Sequence, residues 1–256
     1  MIGGTTISGF VITYNEEAAI RDCLESMKWA DELVVVDSFS QDATVGIARE
    51  YTDKVIQREF AGYVPQTRFA FEQTTCDWVL WLDADERLSD RAVAEIQEAF
   101  EQPGEGACDG FSLPRRTHFL GRWIMHGGWY PQRKLRLFRR AAARIAGEQI
   151  HPEAVVPGPV RRLKGDILHF SFPGGIMDYV ERSRKYAEIA ARERFAKGKK
   201  VGVAGLLLRP PMAFLQGYVL RLGFLDGVPG LAVAAGRAYH KFMRDMRLWE
   251  LASKGE

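Results

Sequence analysis

The sequence predicts an α/β fold, in which a mostly parallel sheet is flanked by helices and followed by a C-terminal helical amphipathic extension. Residues 6–83 alternate apolar strand-like runs with helix-like stretches, which is typical of a parallel sheet. A mainly apolar segment, interrupted by single basic residues, then runs from Val201 to Leu251. With 256 residues, 46% of them hydrophobic, the chain can build one large domain or two small ones.

Four apolar runs supply the predicted strands of the sheet. They are TISGFVIT (6–13), ELVVVD (32–37), KVIQ (54–57) and WVLWLD (78–83). Apolar spacing and capping residues predict three helices around them: 16–28 capped by Asn15, a helix ending at Tyr51 and capped by Ser40 or Asp42, and 89–100 capped by Ser89. After a stretch of short predicted strands and loops, residues 176–197 return to a helical pattern.

Charge divides the chain into three segments, and Pro and Gly in QPGEGACDG (102–110) mark the first boundary. Residues 1–108 hold 8 Lys+Arg and 21 Asp+Glu, residues 109–200 hold 20 and 8, and residues 201–256 hold 7 and 4, which gives net charges of −13, +12 and +3. An acidic segment suits metal binding, and a basic one suits the phosphates of a nucleotide, a nucleic acid or a lipid surface. Mutual neutralisation of two packed subdomains is the alternative.

The sequence carries no sign of export or of a membrane span. The N-terminus lacks a basic region followed by an apolar one, and no stretch reaches the roughly 18 to 20 apolar residues that a span needs. Cys23, Cys76 and Cys108 lie too far apart for a CxxC pair, and their odd number argues against a disulfide framework. We expect buried free thiols in a reducing compartment.

The stretch WVLWLDADERLS (78–89) contains the strongest chemical signal. If the backbone stays extended, Asp83 and Asp85 point to the same side, and two carboxylates on a rigid strand suit Mg²⁺ or Mn²⁺. A lone DxD is weak evidence, because acidic residues often end a strand and cap a helix. ITYNEE (12–17) and Asp37 strengthen it, since ligands of such folds gather at the carboxyl ends of parallel strands.

In this order the motifs resemble those of family-2 glycosyltransferases. The resemblance rests on VITYNEEAAIRDCLESMKWADELVVVDSFSQDATVGIA and CDWVLWLDADERLS, and FLGRWIMHGGWYP, LRLFRR, RLKGDILHFSF and GFLDG narrow it to the bacterial lipopolysaccharide-core glucosyltransferase branch. It implies a Rossmann-like GT-A fold, a UDP-sugar donor and inversion at the anomeric carbon of the sugar. We therefore expect nucleotide-sugar binding in residues 1–108, acceptor binding and catalysis in 109–200, and membrane-surface contact by 201–256.

The resemblance also implies which residues bind the nucleotide. Thr13, Tyr14 and Glu16 match the loop that grips uracil and ribose, and Asp37 matches the carboxylate that reads the base.

The DxD pair and one arginine complete the implied donor site. Asp83 matches the aspartate that faces the ribose, and Asp85 matches the one that binds the metal on the donor diphosphate. Arg68, in QTRFA, falls where such enzymes place a basic residue near the nucleotide, although the family pattern puts that residue one position earlier, at Thr67.

An inverting transfer needs a base that takes the proton of the acceptor hydroxyl. Of the eight carboxylates in residues 109–200, Glu148, Glu153 and Asp166 remain once those of the boundary turn and of the predicted helix are set aside. The family segment reads His-Glu, whereas this chain has IHPE (150–153), with a proline between the two residues. We predict that Glu153 is the base and keep Glu148 as the alternative.

Two further sets of side chains leave alternatives open. His169, in ILHFSF, is either a structural residue or a phosphate or metal contact. The arginines of LRLFRR either bind phosphates or cover a charged strand face: Arg136, Arg139 and Arg140.

The prediction is thus a metal-dependent, inverting glycosyltransferase that moves a sugar, by resemblance glucose, from a UDP-sugar to the lipid-linked lipopolysaccharide core. The apolar faces and arginines of residues 201–256 predict peripheral attachment to the anionic inner face of the inner membrane, with no nucleic acid as partner. One alternative is a phosphatase of the haloacid-dehalogenase type, although Glu86 follows the DxD where Thr or Ser is expected. The other is a non-enzymatic module that binds anionic lipid or nucleic acid through the segment of charge +12.

Overall fold

A computed structural model describes residues 1–101, 108–148 and 151–254, and at Glu148 it describes the backbone alone. Two compact units are present, each built from two stretches of chain. Unit 1 comprises Met1–Arg115 and Gln132–Phe170, and unit 2 comprises Arg116–Pro131 and Ser171–Glu256. This division cuts across the three segments of the sequence prediction, whose functional roles stay predictions; most of the boundary at 102–110 lies outside the described residues.

Unit 1 is built around a mixed sheet. The strands of the described chain are β1 (Ile7–Thr13), β2 (Glu32–Asp37), β3 (Val55–Gln57), β4 (Trp78–Trp81), β5 (Glu86–Leu88), β6 (Gly110–Phe119), β7 (Arg122–Ile124), β8 (Gln132–Arg139), β9 (Arg144–Glu148), β10 (His151–Val155), β11 (Val160–Arg162) and β12 (Ile167–His169). The main order is β3-β2-β1-β4-β8-β6-β12-β5, and β9 and β10 form a separate antiparallel pair.

The sheet is parallel in its first part and mixed beyond β4, where β11 pairs parallel with β6. β3, β2, β1 and β4 run parallel to one another, whereas β8 pairs antiparallel with both β4 and β6. The α/β class with flanking helices and a C-terminal helical extension is confirmed. The expectation of a mostly parallel sheet holds for the four predicted strands alone.

Alternate residues of the central strands pack against opposite layers of unit 1. Val35 faces a core cluster that includes Leu24 and Ile96, whereas Val34 and Val36 face a second cluster. This alternation is what a strand buried on both faces requires, because successive side chains point to opposite sides. The sheet is therefore held from both faces.

The helices are α1 (Ile20–Glu25), α2 (Thr44–Arg49), α3 (Tyr63–Glu72), α4 (Asp90–Glu101), α5 (Gly175–Ala196), α6 (Val203–Leu215) and α7 (Gly227–Lys254). The predicted cap Ser89 is confirmed, since its Oγ accepts the Ala92 N–H at 3.2 Å. The predicted cap Asn15 is wrong, because its φ is 53° and its Oδ1 accepts the Gln41 N–H instead. α3 was not predicted, yet Pro65 fits its first turn, where a missing N–H costs little.

Unit 2 combines α5, α6 and α7 with β7 and the end of β6. An aromatic cluster of Phe119, Trp129, Phe172 and Tyr179 forms part of its core, with ring centroids 5.1 to 5.9 Å apart. A π-helical turn (Gln216–Leu220) and a 3-10 turn (Gly223–Asp226) connect α6 to α7. The helical prediction for the tail is confirmed, although α6 runs through Pro210 and Pro211.

One helical stretch of unit 2 contradicts an expectation from the sequence. Within the described residues, Val203–Leu220 is long and apolar enough to cross a membrane by length and composition, and 11% of it is buried. The expectation that no stretch reaches this length is therefore wrong, because Arg209 interrupts the apolar run without ending the helix. A single helix of this kind is weak evidence for a span.

Candidate functional site

The ends of the parallel strands bring the predicted donor residues to one edge of the sheet. Thr13 at the end of β1 is in register with Asp37 at the end of β2, and Asp37 is in register with Gln57 at the end of β3. β4 lies on the other side of β1, and the Leu82 N–H extends this ladder with a 3.3 Å bond to the Phe10 carbonyl. Residues of ITYNEE, VVVDS and LDADE therefore meet at the same edge.

The aspartates of LDADE lie in a tight turn rather than on an extended strand. β4 ends at Trp81, and the Glu86 N–H donates to the Asp83 carbonyl at 2.9 Å. The Glu86 carboxylate in turn accepts the Asp83 N–H at 3.2 Å. The expectation that Asp83 and Asp85 share one side of an extended strand is wrong, and the two carboxylates contact different partners.

A buried ion network holds this turn on the sheet. Arg136 on β8, with 3% of its surface exposed, donates to Asp83 Oδ2 at 2.6 Å and to Glu86 Oε2 at 2.7 Å. Its guanidinium also lies 4.3 Å from the Trp81 ring centroid. Arg115 on β6 binds the other oxygen of Glu86 at 3.1 Å. Arg136 is thus a structural partner of the acidic turn, whereas the sequence left open that it binds phosphate.

Burial and charge act in opposite directions on this network. Burial alone would raise the pKa of Glu86, but Arg136, Arg115 and His169 outweigh it and hold that pKa below its ordinary value. The half-buried Lys134 on β8 has a lowered pKa, first because of burial and then because of Arg115 and Arg136. Lys134 therefore places a poorly solvated cation beside the acidic turn.

Asp85 and His169 form the pair best suited to a metal ion. The Asp85 carbonyl accepts the Phe170 N–H at 2.9 Å, and its Oδ2 lies 3.4 Å from Nε2 of His169. β12 supplies His169, whose register partner on β5 is Glu86. The described residues contain no group of three metal-binding side chains, so the protein would supply these two ligands and leave the other positions to phosphate oxygens or water.

The thiol of Cys23 lies beneath the same turn. Its Sγ is 3.4 Å from the Asp83 carbonyl, and burial, followed by the charges of Glu86 and Asp85, raises its pKa well above the ordinary value. All three cysteines are free, as predicted, and Cys23 and Cys108 are buried while Cys76 is half-buried.

Asp37 organises the loops at the strand ends. Its carboxylate is fully buried and accepts bonds from the Ser40 N–H at 2.9 Å and from Gln57 Nε2 at 3.2 Å. Ser40 Oγ, which also donates to Asp37, accepts the Asn15 N–H at 2.8 Å. Asp37 thereby fixes the ITYNEE loop through Ser40, and a direct contact with the base stays a prediction.

The three other residues of the predicted base-binding loop differ in exposure. Thr13 is buried, and its Oγ1 has no hydrogen-bond partner among the described residues, which leaves a polar atom at the strand edge available to a ligand. Tyr14 is 56% exposed and free to stack on a ligand. Glu16 is half-buried, and its backbone N–H donates to Thr44 Oγ1 at 2.8 Å.

Arg68 is exposed on α3, and its Nη2 donates to the Ile145 carbonyl on β9 at 3.3 Å. Thr67, the position of the family's basic residue, is fully buried. A charge at position 67 would therefore be desolvated, whereas Arg68 reaches solvent.

Glu153, the predicted base, lies on β10 opposite Ala146 of β9. Its neighbour Ala154 packs against the core of unit 1 together with Ile145, so Glu153 points to the other face of the hairpin and is exposed. The side chain of the alternative, Glu148, lies outside the described residues. Asp166 lies at the Leu88 end of the β12 and β5 pair, away from the His169 end.

The residues that sequence reasoning missed are those whose importance depends on pairing. Glu86 and Lys134 are ordinary charged residues in the sequence, and neither was predicted as part of the site. His169 was left undecided, although its place at the end of an apolar ILH run was the available signal. Only the strand pairing brings His169 beside Asp85.

Comparison with known proteins identifies relatives over nearly the whole chain. The family model "Glycosyl transferase family 2" matches residues 8–154. The chain is 30% identical to the lipopolysaccharide core biosynthesis glycosyltransferase LpsC of Rhizobium meliloti, over 98% of this chain and 94% of that protein. It is also 30% identical to an uncharacterised glycosyltransferase of Rickettsia typhi, over 97% and 88%.

Among solved structures, S. aureus TarS in complex with UDP matches 98% of this chain and 92% of that chain, with 17% identity and a TM-score of 0.48. At that TM-score the likeness supports no conclusion of its own.

Proposed function

The chain belongs to glycosyl transferase family 2, and from that premise we propose that it is a metal-dependent, inverting transferase that moves a hexose from a UDP-sugar to a lipid-linked glycan. The membership confirms the resemblance predicted from the sequence and favours this function over a phosphatase or a non-enzymatic binding module. The name of the Rhizobium meliloti relative supports the lipopolysaccharide core as acceptor, and we propose the cytoplasmic face of the inner membrane as the location. Glucose as the sugar rests on the resemblance.

The observation that carries this proposal is the Asp85 and His169 pair at the edge where the parallel strands end. With Oδ2 and Nε2 3.4 Å apart, the two side chains can share one cation. A mixed oxygen and nitrogen ligand set fits Mn²⁺ better than Mg²⁺, which prefers oxygen alone. The bound metal would offset the charge that develops on the departing diphosphate.

The residues around this pair would bind and orient the donor. We assign Thr13, Tyr14 and Glu16 to uracil and ribose, with Asp37 holding their loop in place. Asp83 would face the ribose with Oδ1, because Arg136 already occupies Oδ2. Arg68 would lie near the nucleotide, and Lys134 would add a cation to the diphosphate site, where a poorly solvated charge is most effective.

The base in this proposal is Glu153, an exposed carboxylate that can accept the proton of an acceptor hydroxyl. Glu153→Gln keeps the size of the side chain and removes the basicity. We expect kcat to fall by about 100-fold or more with little change in the donor KM, which is the pattern of lost proton transfer. An unchanged kcat would return the role to Glu148.

Attachment to the membrane surface is supported by an apolar ridge on unit 2. The ridge comprises Val203, Leu207, Leu208, Met212, Leu215, Val219 and Leu220, each between 45% and 73% exposed. Contiguous exposed apolar side chains of this extent are typical of a membrane or protein contact. Arg209, one of the arginines of this segment, bonds the buried Asp245 at 3.3 Å.

The direct test is release of UDP from a panel of UDP-sugars, with Mn²⁺ or Mg²⁺ and with truncated core lipopolysaccharide as acceptor. We expect one donor to be consumed faster with acceptor than without it, and the product to have the inverted anomeric configuration. Consumption of no UDP-sugar, or activity that survives chelation of the metal, would overturn the proposal.

A further inference from the structure

The glycine turn of HGGWYP lies against two arginines in unit 2. Gly127 and Gly128 have φ values of +67° and +85°, which strongly favour glycine. A Cβ at position 128 would lie 2.3 Å from Nη1 of Arg221, so the missing side chain makes room for that guanidinium. Nη1 of Arg237 donates to the Gly127 carbonyl at 3.1 Å. Both guanidinium groups therefore converge on one two-residue turn.

Neither arginine has a carboxylate partner among the described residues. Arg237 donates to the Gly127 carbonyl, and its pKa is lowered, first by burial and then by the charge of Arg221. The nearby acid Asp226, in the 3-10 turn Gly223–Asp226, is 1% exposed and is already bonded to His126 Nδ1 at 3.0 Å and to the backbone N–H groups of residues 125 and 126. Two like charges are thus held close together without compensation, which costs energy unless an anion binds.

Three other arginines of the helical tail are paired with carboxylates. Arg209 and Arg244 both bind the fully buried Asp245, and Arg247 binds Glu188 and Glu250. Arg221 instead lies between the exposed Leu220 and Leu222, next to the apolar ridge. An uncompensated cation within an apolar exposed surface is the arrangement expected where anionic headgroups meet the hydrocarbon of a bilayer.

We propose that Arg221 and Arg237, converging on the Gly127–Gly128 turn, form a binding site for the phosphate or carboxylate oxyanion of a membrane-embedded lipid. This inference rests on the proposed transfer to a lipid-linked acceptor and adds the chemistry by which that acceptor, or the lipid beside it, is held. Guanidinium groups suit such oxyanions because they donate paired N–H bonds.

The test is vesicle flotation of the full-length protein with three lipid compositions. These are neutral phosphatidylcholine alone, the same lipid with phosphatidylglycerol, and the same lipid with a phosphorylated lipid-linked core saccharide. Arg221→Gln and Arg237→Gln are compared with Arg192→Gln, which removes an exposed cation from α5. At position 237 glutamine keeps an amide donor for the Gly127 carbonyl, so we expect the variant to fold. Its melting temperature, compared with that of the wild type, checks this.

We expect each of the two variants to lose about tenfold in affinity for anionic vesicles and little for neutral ones, with Arg192→Gln unchanged. Arg221→Lys and Arg237→Lys should recover part of the loss, because they keep the charge. Loss confined to the core saccharide identifies the acceptor as the source of the oxyanion, and loss with phosphatidylglycerol as well identifies a general headgroup site.

Equal binding of wild type and variants to both kinds of anionic vesicle would overturn the inference, and so would equally strong wild-type binding to neutral and anionic vesicles. Release of UDP without acceptor is measured in parallel. It should be unchanged in both variants, whereas failure of the proposed transferase function would abolish it in the wild type too.

Discussion

The candidate site of unit 1 and the apolar ridge of unit 2 differ in the burial and pairing of their side chains. In unit 1 the charges beside the candidate site are buried and paired, with Arg136 between Asp83 and Glu86 and with Arg115 on the far oxygen of Glu86. In unit 2 the apolar ridge is exposed, and Arg221 and Arg237 have no acidic partner among the described residues. The ion pairs of unit 1 thus fix the positions of its carboxylates. In unit 2, by contrast, exposed apolar side chains and these two arginines are available to a binding partner.

The largest effect should come from breaking the buried network of unit 1. Arg136→Met leaves Glu86 buried with only one of its two arginine partners, and we expect a loss of about 3–5 kcal/mol in the free energy of unfolding. Denaturant unfolding measures this. The control is Arg139→Met, on the same strand, where the 3.7 Å pair with Asp109 is partly exposed and its loss should cost about 0–1 kcal/mol. Equal effects of the two variants would contradict the contrast.

The apolar ridge of unit 2 should show the reverse pattern. Leu208→Glu with Met212→Glu alters two side chains that are each 63% exposed, so stability should change by less than about 1 kcal/mol. Vesicle binding should fall by about 100-fold, because two apolar side chains no longer enter the lipid. Ala252→Glu with Ser253→Glu adds the same charge elsewhere on unit 2, and it should leave binding intact if the ridge is the contact.

A smaller effect should come from Lys134, the poorly solvated cation beside the acidic turn. Lys134→Met keeps the length of the side chain and removes the charge, so we expect the KM for the UDP-sugar to rise about tenfold. Steady-state kinetics of UDP release measure it. Lys164→Met removes an exposed lysine of the same unit, and its KM should match that of the wild type. A KM equally raised in both variants would remove Lys134 from the donor site.

The smallest effect concerns Glu32, at the edge of unit 1 away from the candidate site. Burial opposes its charge, but Lys54, Ser8 and Thr75 outweigh it and lower its pKa from 4.5 to about 2. A lowered folded pKa adds stability that is present above pH 4.5 and is lost as the pH falls towards 2. Glu32→Gln should therefore cost about 1 kcal/mol at neutral pH, and its difference from the wild type should vanish near pH 2. If the difference in the free energy of unfolding between the two proteins did not change with pH, the ionised Glu32 carboxylate would not be its cause.

The sequence predicts the parallel strands because their apolar runs and turns are local. β2 has the predicted bounds, and β1 and β3 differ from them by one residue. It also predicts that Asp37 and the DxD follow strands of one sheet. These features need only periodicity and strand order, which a single chain displays directly.

Features that depend on contacts between residues far apart in the chain cannot be predicted from the sequence. Arg136 lies 53 residues from Asp83, and nothing in LRLFRR distinguishes the arginine that is buried from those that are not. Likewise, the sequence predicts apolar faces in residues 201–256, but it does not show which side chains of α6 stay exposed. His169 and Lys134 join the candidate site by strand pairing alone.

Asp85 and His169, in the function proposed above, would hold a metal that binds the diphosphate of a nucleotide donor. Calorimetric titration of UDP, with Mn²⁺ and with the metal chelated, tests it without any acceptor. Wild type should bind UDP only with Mn²⁺, and Asp85→Asn and His169→Gln should each lose about 100-fold. Glu153→Gln is the matched control, and it should bind like the wild type. Binding of UDP that survives chelation, or that is unimpaired in Asp85→Asn, would contradict the account.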